Sequence, residues 1–274
     1  MWNSIAISSG HGLFVRGARG LIDEVDEARK VTGRVAAILR GAGVGVSTFH
    51  ENNARTVSDN VGAIVRHHNG LRRDLDVSIH FNSTATGIIE DRAIGVEVLH
   101  HTNNQITRQL AGRVARAISD ASGLLLRHQR DSGAVARNNL SFLNNTTAPA
   151  ILIEVCFVNS RTDVRLYQEH FEAICHAIAE SICGRVIVRE EEVEDMPRWN
   201  TISEVPEGLL RNIVQEWVSA GYLQGTCRAS FEQGNPIGLD ITRDMIRSVI
   251  LGKRMAGARL SQLEEAVFGQ SAVA

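Results

Sequence analysis

IAISSGHG, residues Ile5–Gly12, begins as a buried strand and stops being one at Gly10. Ile5, Ala6 and Ile7 are apolar, the serines after them are small, and then His11 stands between two glycines. Glycine removes side-chain cover from its surroundings, so the stretch leaves an ionisable ring bare at the mouth of the first strand. In α/β folds the carboxyl ends of strands are where ligand chemistry collects. The stretch therefore predicts an α/β fold, and it sends the reading outward to find partners for His11.

Residues 4–183 alternate short apolar runs with stretches of helical period, the pattern of an α/β sheet. Strands are expected at Ile5–Ile7, Val44–Phe49, Leu75–His80, Gly95–His101 and Ile151–Cys156. Val25, Ala28, Val31, Val35 and Leu39 predict a helix from Glu24 to Leu39, ended by Gly41-Ala42-Gly43. Ser58 reads as the cap of a second helix, Ile106–Ala121 as a third, and Val164–Cys183 as one closing helix.

Composition limits the function classes. In 274 residues, 43% apolar and 22% charged, there is material for one main core and something small beside it. A net charge of −2 argues against a nucleic-acid partner, which needs a basic surplus. No apolar run is long enough for membrane insertion. Cys156, Cys175, Cys183 and Cys227 form no CxxC pair and read as reduced structural thiols. Met1-Trp2-Asn3-Ser4 lacks the basic and apolar regions of a secretory leader, so synthesis in a bacterial cytoplasm is expected.

His11 follows strand one, Glu24 opens helix one, and His80 ends strand three. In parallel α/β architecture such positions converge on one crevice. Two imidazoles and a carboxylate make a tridentate site of the kind that holds catalytic zinc and leaves a place for water. Asp23 and Glu27 lie close enough to Glu24 to compete for the carboxylate position. Glu154, inside the apolar run ILIEVC, is hard to explain structurally, because burying an unpaired carboxylate costs several kcal/mol. Beside such an ion it could move a proton between water and a leaving amine.

Four stretches carry a family resemblance: SGHG around His11, LIDEVDEARKV (Leu21–Val31), SIHFNS (Ser78–Ser83) and PAILIEVCFVNS (Pro149–Ser160). In that order and spacing, residues 5–183 resemble the zinc-dependent N-acetylmuramoyl-L-alanine amidases of the amidase-3 type. The resemblance implies one Zn²⁺ on His11, Glu24 and His80, with Glu154 as catalytic carboxylate. It also implies a twisted mixed sheet flanked by helices and an open groove for peptidoglycan. The reaction expected is hydrolysis of the amide between N-acetylmuramic acid and L-alanine, in an endolysin or autolysin acting on the wall after release. A zinc peptidase cutting within the stem peptide and a non-catalytic wall-binding protein are the competing readings.

Other residues carry weaker signals. Asn82 is a candidate for orienting a ligand or substrate and reads equally as a turn residue; His100 is a candidate substrate contact but reads rather as a solvated strand end. His67 and His68 read as a polar helix end, since adjacent residues cannot chelate one ion. Cys156 reads as a core thiol rather than a nucleophile. Residues 185–198 read as a charged linker and 199–274 as a small helical domain, loosely similar to wall-binding modules. Trp199, Trp217 and Tyr222 there are candidate contacts to a secondary wall polymer; alternatively, they form a small core or a dimer interface.

Overall fold

A computed structural model describes residues 2–187. Most of the expected linker and all of residues 199–274, with Trp199, Trp217 and Tyr222, lie outside the described residues.

The chain runs β1 (Ser4–Ser9), α1 (Glu24–Gly41), β2 (Gly45–Phe49), α2 (Val57–Asn69), β3 (Leu75–Asn82), β4 (Glu97–His101), α3 (Gln105–Ser122), β5 (Ala134–Arg137), α4 (Ser141–Asn145), β6 (Ala150–Phe157), α5 (Arg161–Glu169) and α6 (Phe171–Cys183). The sheet has six strands in the order β2-β1-β3-β6-β4-β5. β2, β1, β3 and β6 are mutually parallel; β4 is antiparallel to β6, and β5 follows β4. The sheet is therefore mixed, as the resemblance implied.

This order creates the site. From β1 the chain crosses through α1 to β2 on one side, then returns to place β3 on the other side of β1. Such a reversal opens a crevice at the carboxyl ends of the two strands. His11 leaves β1 there and His80 ends β3 there.

Helices α1, α3 and α6 pack together against one face of the sheet, while α2 and α4 meet on the other. The α2–α4 side holds a cluster of Ile64, Leu99, Phe142, Leu143 and Leu152. Alternation along β3 and β6 then puts Asp76, Ser78, His80, Leu152 and Glu154 on that same face. Near the core end it is covered; at His80 and Glu154 the cover has run out.

Three local expectations are corrected. Helix α2 starts two residues early, capped by Thr56 rather than Ser58: Thr56 Oγ1 accepts from the Asp59 amide at 3.1 Å and donates to Asp59 Oδ2 at 2.7 Å. The closing helix is two helices, broken at His170, whose backbone leaves the helical region; the apolar period of Val164, Tyr167, Ile174 and Ile178 runs on through the break and so hid it. His68 is not a polar helix end: it is fully buried, with Nδ1 2.8 Å from Asp76 Oδ1. Arg73 completes that buried cluster, donating to both Asp76 oxygens at 2.9 and 2.8 Å.

Candidate metal centre

Glu24 is the first residue of α1, where unpaired helix amides favour negative charge. Its carboxylate is nearly sealed from solvent, and backbone N–H groups of Ala18 and Phe81 donate to it at 2.6 and 3.2 Å. His80 Nδ1 lies 2.9 Å and His11 Nε2 3.6 Å from the same oxygen, Glu24 Oε1. The two rings meet edge to face with centroids 5.1 Å apart. One donor atom from each of His11, Glu24 and His80 lies within 4.8 Å of the others.

The two competing carboxylates are engaged elsewhere. Asp23 caps α1 and takes hydrogen bonds from Arg16 and Arg19. Glu27 accepts from the Tyr167 hydroxyl and from Lys30. Among the three acids, Glu24 alone turns into the crevice.

The glycines around His11 now have a reason. A Cβ on Gly10 would stand 1.9 Å from the His80 ring, so only a bare backbone lets that ring lie over β1. Gly17 has φ +69°, and a Cβ there would fall 2.3 Å from Glu24 Oε2 and 2.5 Å from the His11 ring. The loop is cut to fit the three donors.

Burial is the largest influence on each group, and the neighbours decide the outcome. Burial raises the Glu24 carboxyl, but hydrogen bonding and charge from His80, then His11, hold it below the ordinary range. Burial would lower His80, yet the Glu24 carboxylate raises it. At His11 burial wins and the ring is held below its usual value.

Glu154 is the direct register partner of His80. Its Oε2 is shielded from solvent and has no hydrogen-bond partner. Burial, with the nearby Glu24 and Glu97 charges added and His80 opposing, pushes its pKa up to about 8. An uncompensated carboxyl beside a donor cluster suits a group that trades protons.

The donor set fits a divalent cation. Imidazole nitrogen and carboxylate oxygen suit zinc, whose bonds of about 2.0–2.2 Å require donors a few ångströms apart, as they are here. The buried, partnerless Glu154 oxygen is a second sign that the site is built to face positive charge.

Other candidates fall in different places. Asn82 orients Glu97 by donating to its Oε1 at 3.0 Å, and its own oxygen accepts from the Ser83 amide. His100 is not brought to the site. Because β4 runs antiparallel to β6, His100 pairs with Ile151 while Glu97 pairs with Glu154, and the buried His100 ring bonds the His101 carbonyl. Cys156 is fully buried, with burial pushing its thiol well up, so it is no nucleophile.

Sequence reasoning missed Glu97, Arg127 and His128. Arg127 Nε and His128 Nε2 each lie 2.9 Å from Glu97 Oε2, and Arg127 covers the Phe157 ring. The signal was present: Glu97 is a carboxylate inside an apolar strand, VEVL, as Glu154 is. Its position beside Glu154 depends on a strand pairing that no local pattern gives.

Residues 5–184 match the family model described as N-acetylmuramoyl-L-alanine amidase. An uncharacterized 38.4 kDa protein of Clostridium perfringens is 30% identical over 197 residues, 72% of this chain and 55% of that protein. The chain thus spans about half the length of the curated relatives it matches. The catalytic domain of the CD27L endolysin, which targets Clostridia difficile, superposes with TM-score 0.56 at 22% identity, over 68% of this chain and 99% of that one. The amidase AmiC2 of Nostoc punctiforme gives 0.55 at 24% identity, over 66% and 96%. These likenesses show a shared fold, and the family match falls on the segment that carries His11, Glu24, His80 and Glu154. The chain belongs to the amidase-3 family of N-acetylmuramoyl-L-alanine amidases.

Proposed function

We propose that this chain hydrolyses the amide joining the lactyl group of N-acetylmuramic acid to L-alanine of the peptidoglycan stem, as a wall-lysing enzyme of the endolysin kind. His11, Glu24 and His80 hold one Zn²⁺. The ion, when bound, supplies Lewis acidity that acidifies water and polarises a carbonyl. The observation that carries the reading is the partnerless Glu154 oxygen one strand away from His80.

Glu154 acts at two moments. Its carboxylate accepts a proton from the attacking water as the new C–O bond forms, and it returns that proton to the alanine nitrogen as the C–N bond breaks. The products are a lactyl carboxylate and a free L-alanine amino terminus. Such a group must ionise readily and reprotonate readily. Burial holds it high, and positive charge in the adjoining site draws it back toward neutral pH. Glu24 is fixed by the Ala18 and Phe81 amides, so its carboxylate would be held in place as a ligand to the ion.

Among the described residues no helix is long and apolar enough to cross a membrane. Retention on the wall through a secondary polymer is assigned in this reading to residues 199–274.

Digestion of purified peptidoglycan tests the reaction. New L-alanine amino termini with intact glycan chains are expected, suppressed by chelator and restored by Zn²⁺. Amino termini from any other stem residue would make the enzyme a peptidase, and no cleavage would leave a wall-binding protein.

A further inference from the structure

The sheet face opposite His80 and Glu154 is covered by α1, α3 and α6, and the outer flank of α3 carries an open groove of about 520 Å³ separate from the donor cluster. One wall is the helix itself, with Arg108, Arg113 and Arg116; the other is the turn that carries Arg130. Asp131 is the sole acid in the lining. Four guanidinium groups against one carboxylate make a strongly positive cleft in a chain whose net charge is −2.

The cleft is rigid. His128 and Ser132, at the two ends of the turn, both adopt left-handed backbone, with φ 48° and 54°. Non-glycine residues pay to sit there, and such strain persists where the surroundings hold it. His128 is tied to Glu97, Asp131 accepts from Arg108 at 3.0 Å, and Ser132 Oγ accepts from Arg116 at 3.0 Å. Gly112 gives the helix no side chain at the floor, where a Cβ would come within 3.4 Å of the Ser132 Cβ. Arg113 is anchored on the Ser181 carbonyl, whereas Arg130 makes no ion pair among the described residues.

We infer that this cleft binds a phosphodiester polymer of the polyol-phosphate class. Planar guanidinium forks match phosphate oxygens, and Gln105, Gln109 and Ser132 add neutral groups suited to hydroxyls between phosphates. The lining has no aromatic side chain, so it offers nothing on which a nucleobase could stack. From Gln105 to Arg116 the helix runs roughly 16 Å, enough for more than one phosphate of an extended chain. Because the cleft lies on the other side of the sheet, the polymer and the scissile amide can be held together. The inference goes beyond the amidase reading and stands separately from it.

The test uses the full chain and poly(glycerol phosphate) as probe, with affinity measured by calorimetry at two salt concentrations. An oligodeoxynucleotide of equal charge and neutral dextran are run alongside. Two double variants are compared: R108Q/R130Q, which removes charge, and Q105E/Q109E, which keeps every arginine but opposes it. The expected result is salt-sensitive binding of poly(glycerol phosphate), weakened at least tenfold in both variants, with hydrolysis of a soluble muropeptide unchanged in both and melting temperature unchanged in Q105E/Q109E, which keeps the Arg108–Asp131 pair. No binding by the parent chain, equal affinity in the variants, or tighter binding of the oligonucleotide would overturn it. Polymer binding without muropeptide hydrolysis would sink the amidase reading and leave this one standing.

Discussion

His80 and Glu154 face each other across β3 and β6, side by side on one surface of the sheet. The neighbouring pair, Glu97 opposite Glu154, continues the row into β4. Three ionisable groups thus lie in one line across the sheet, and only one of them, His80, belongs to the donor cluster. This separates holding a cation from moving a proton. Glu154→Ala is expected to lower kcat by about 10²–10⁴ while retaining Zn²⁺. Metal analysis of the purified variant checks it; loss of the ion would place Glu154 among the ligands.

Metal-free protein should show the cost of that carboxyl. Its folded pKa of about 8 lies above the ordinary carboxylate value, so the contribution of Glu154 to stability is full below pH ~4.5 and is lost as pH rises through about 8. At pH 7 the penalty is roughly 3 kcal/mol. In chelator, Glu154→Gln should gain stability over the parent between pH 5 and 8, read as a rising difference in urea midpoint. Parallel midpoints for the two proteins across that range would contradict the burial argument.

Gly10→Ala places a methyl group where the His80 ring lies, 1.9 Å from its Cε1 and Nε2. The ring must turn away from Glu24. Zinc affinity should fall by roughly 10-fold or more, with destabilisation of about 1–3 kcal/mol. Competition against a chromogenic chelator, beside a thermal melt, distinguishes a displaced ligand from a collapsed fold.

Glu97→Gln removes one of the charges that raise Glu154. The acidic limb of the kcat/KM profile should move to lower pH, because the base then ionises more easily. A merely structural Glu97 would lower activity without displacing that limb.

Far below the crevice, Asp76 joins His68 and Arg73 in a buried cluster. Burial would raise the Asp76 carboxyl, but its two partners hold it below the usual range. Its stabilising effect is therefore present above the ordinary carboxylate pKa and lost as pH falls through the lower folded value. Asp76→Asn should cost about 3–5 kcal/mol at neutral pH. Acid unfolding of the variant should also lose part of its steepness, while Zn²⁺ content stays the same.

Much of the site was legible because its chemistry is unusual for its surroundings. A histidine between glycines and a glutamate inside ILIEVC both break the local rule that strands are apolar and covered, and both stand in the crevice. Glu97 broke the same rule and went unread, because its meaning depends on β4 lying antiparallel beside β6. His100 was a candidate contact only through the likeness of VEVLHH to a family segment, and the β4–β6 pairing buries it beside Ile151 instead. Spacing alone did not separate Asp23, Glu24 and Glu27, acids within about one turn of each other, and only the family resemblance singled out Glu24.

By itself the sequence determined the alternation of strands and helices, the family, and the residue types that can bind a cation and carry a proton. Apolar period and glycine placement are local properties, written in neighbouring residues. The tertiary structure alone decided what occupies Asp23 and Glu27, which strand end meets which, and that four arginines from a helix and a turn share one cleft. Those outcomes come from strand order and packing, where residues distant in the chain compete for the same space, and no local pattern records who wins.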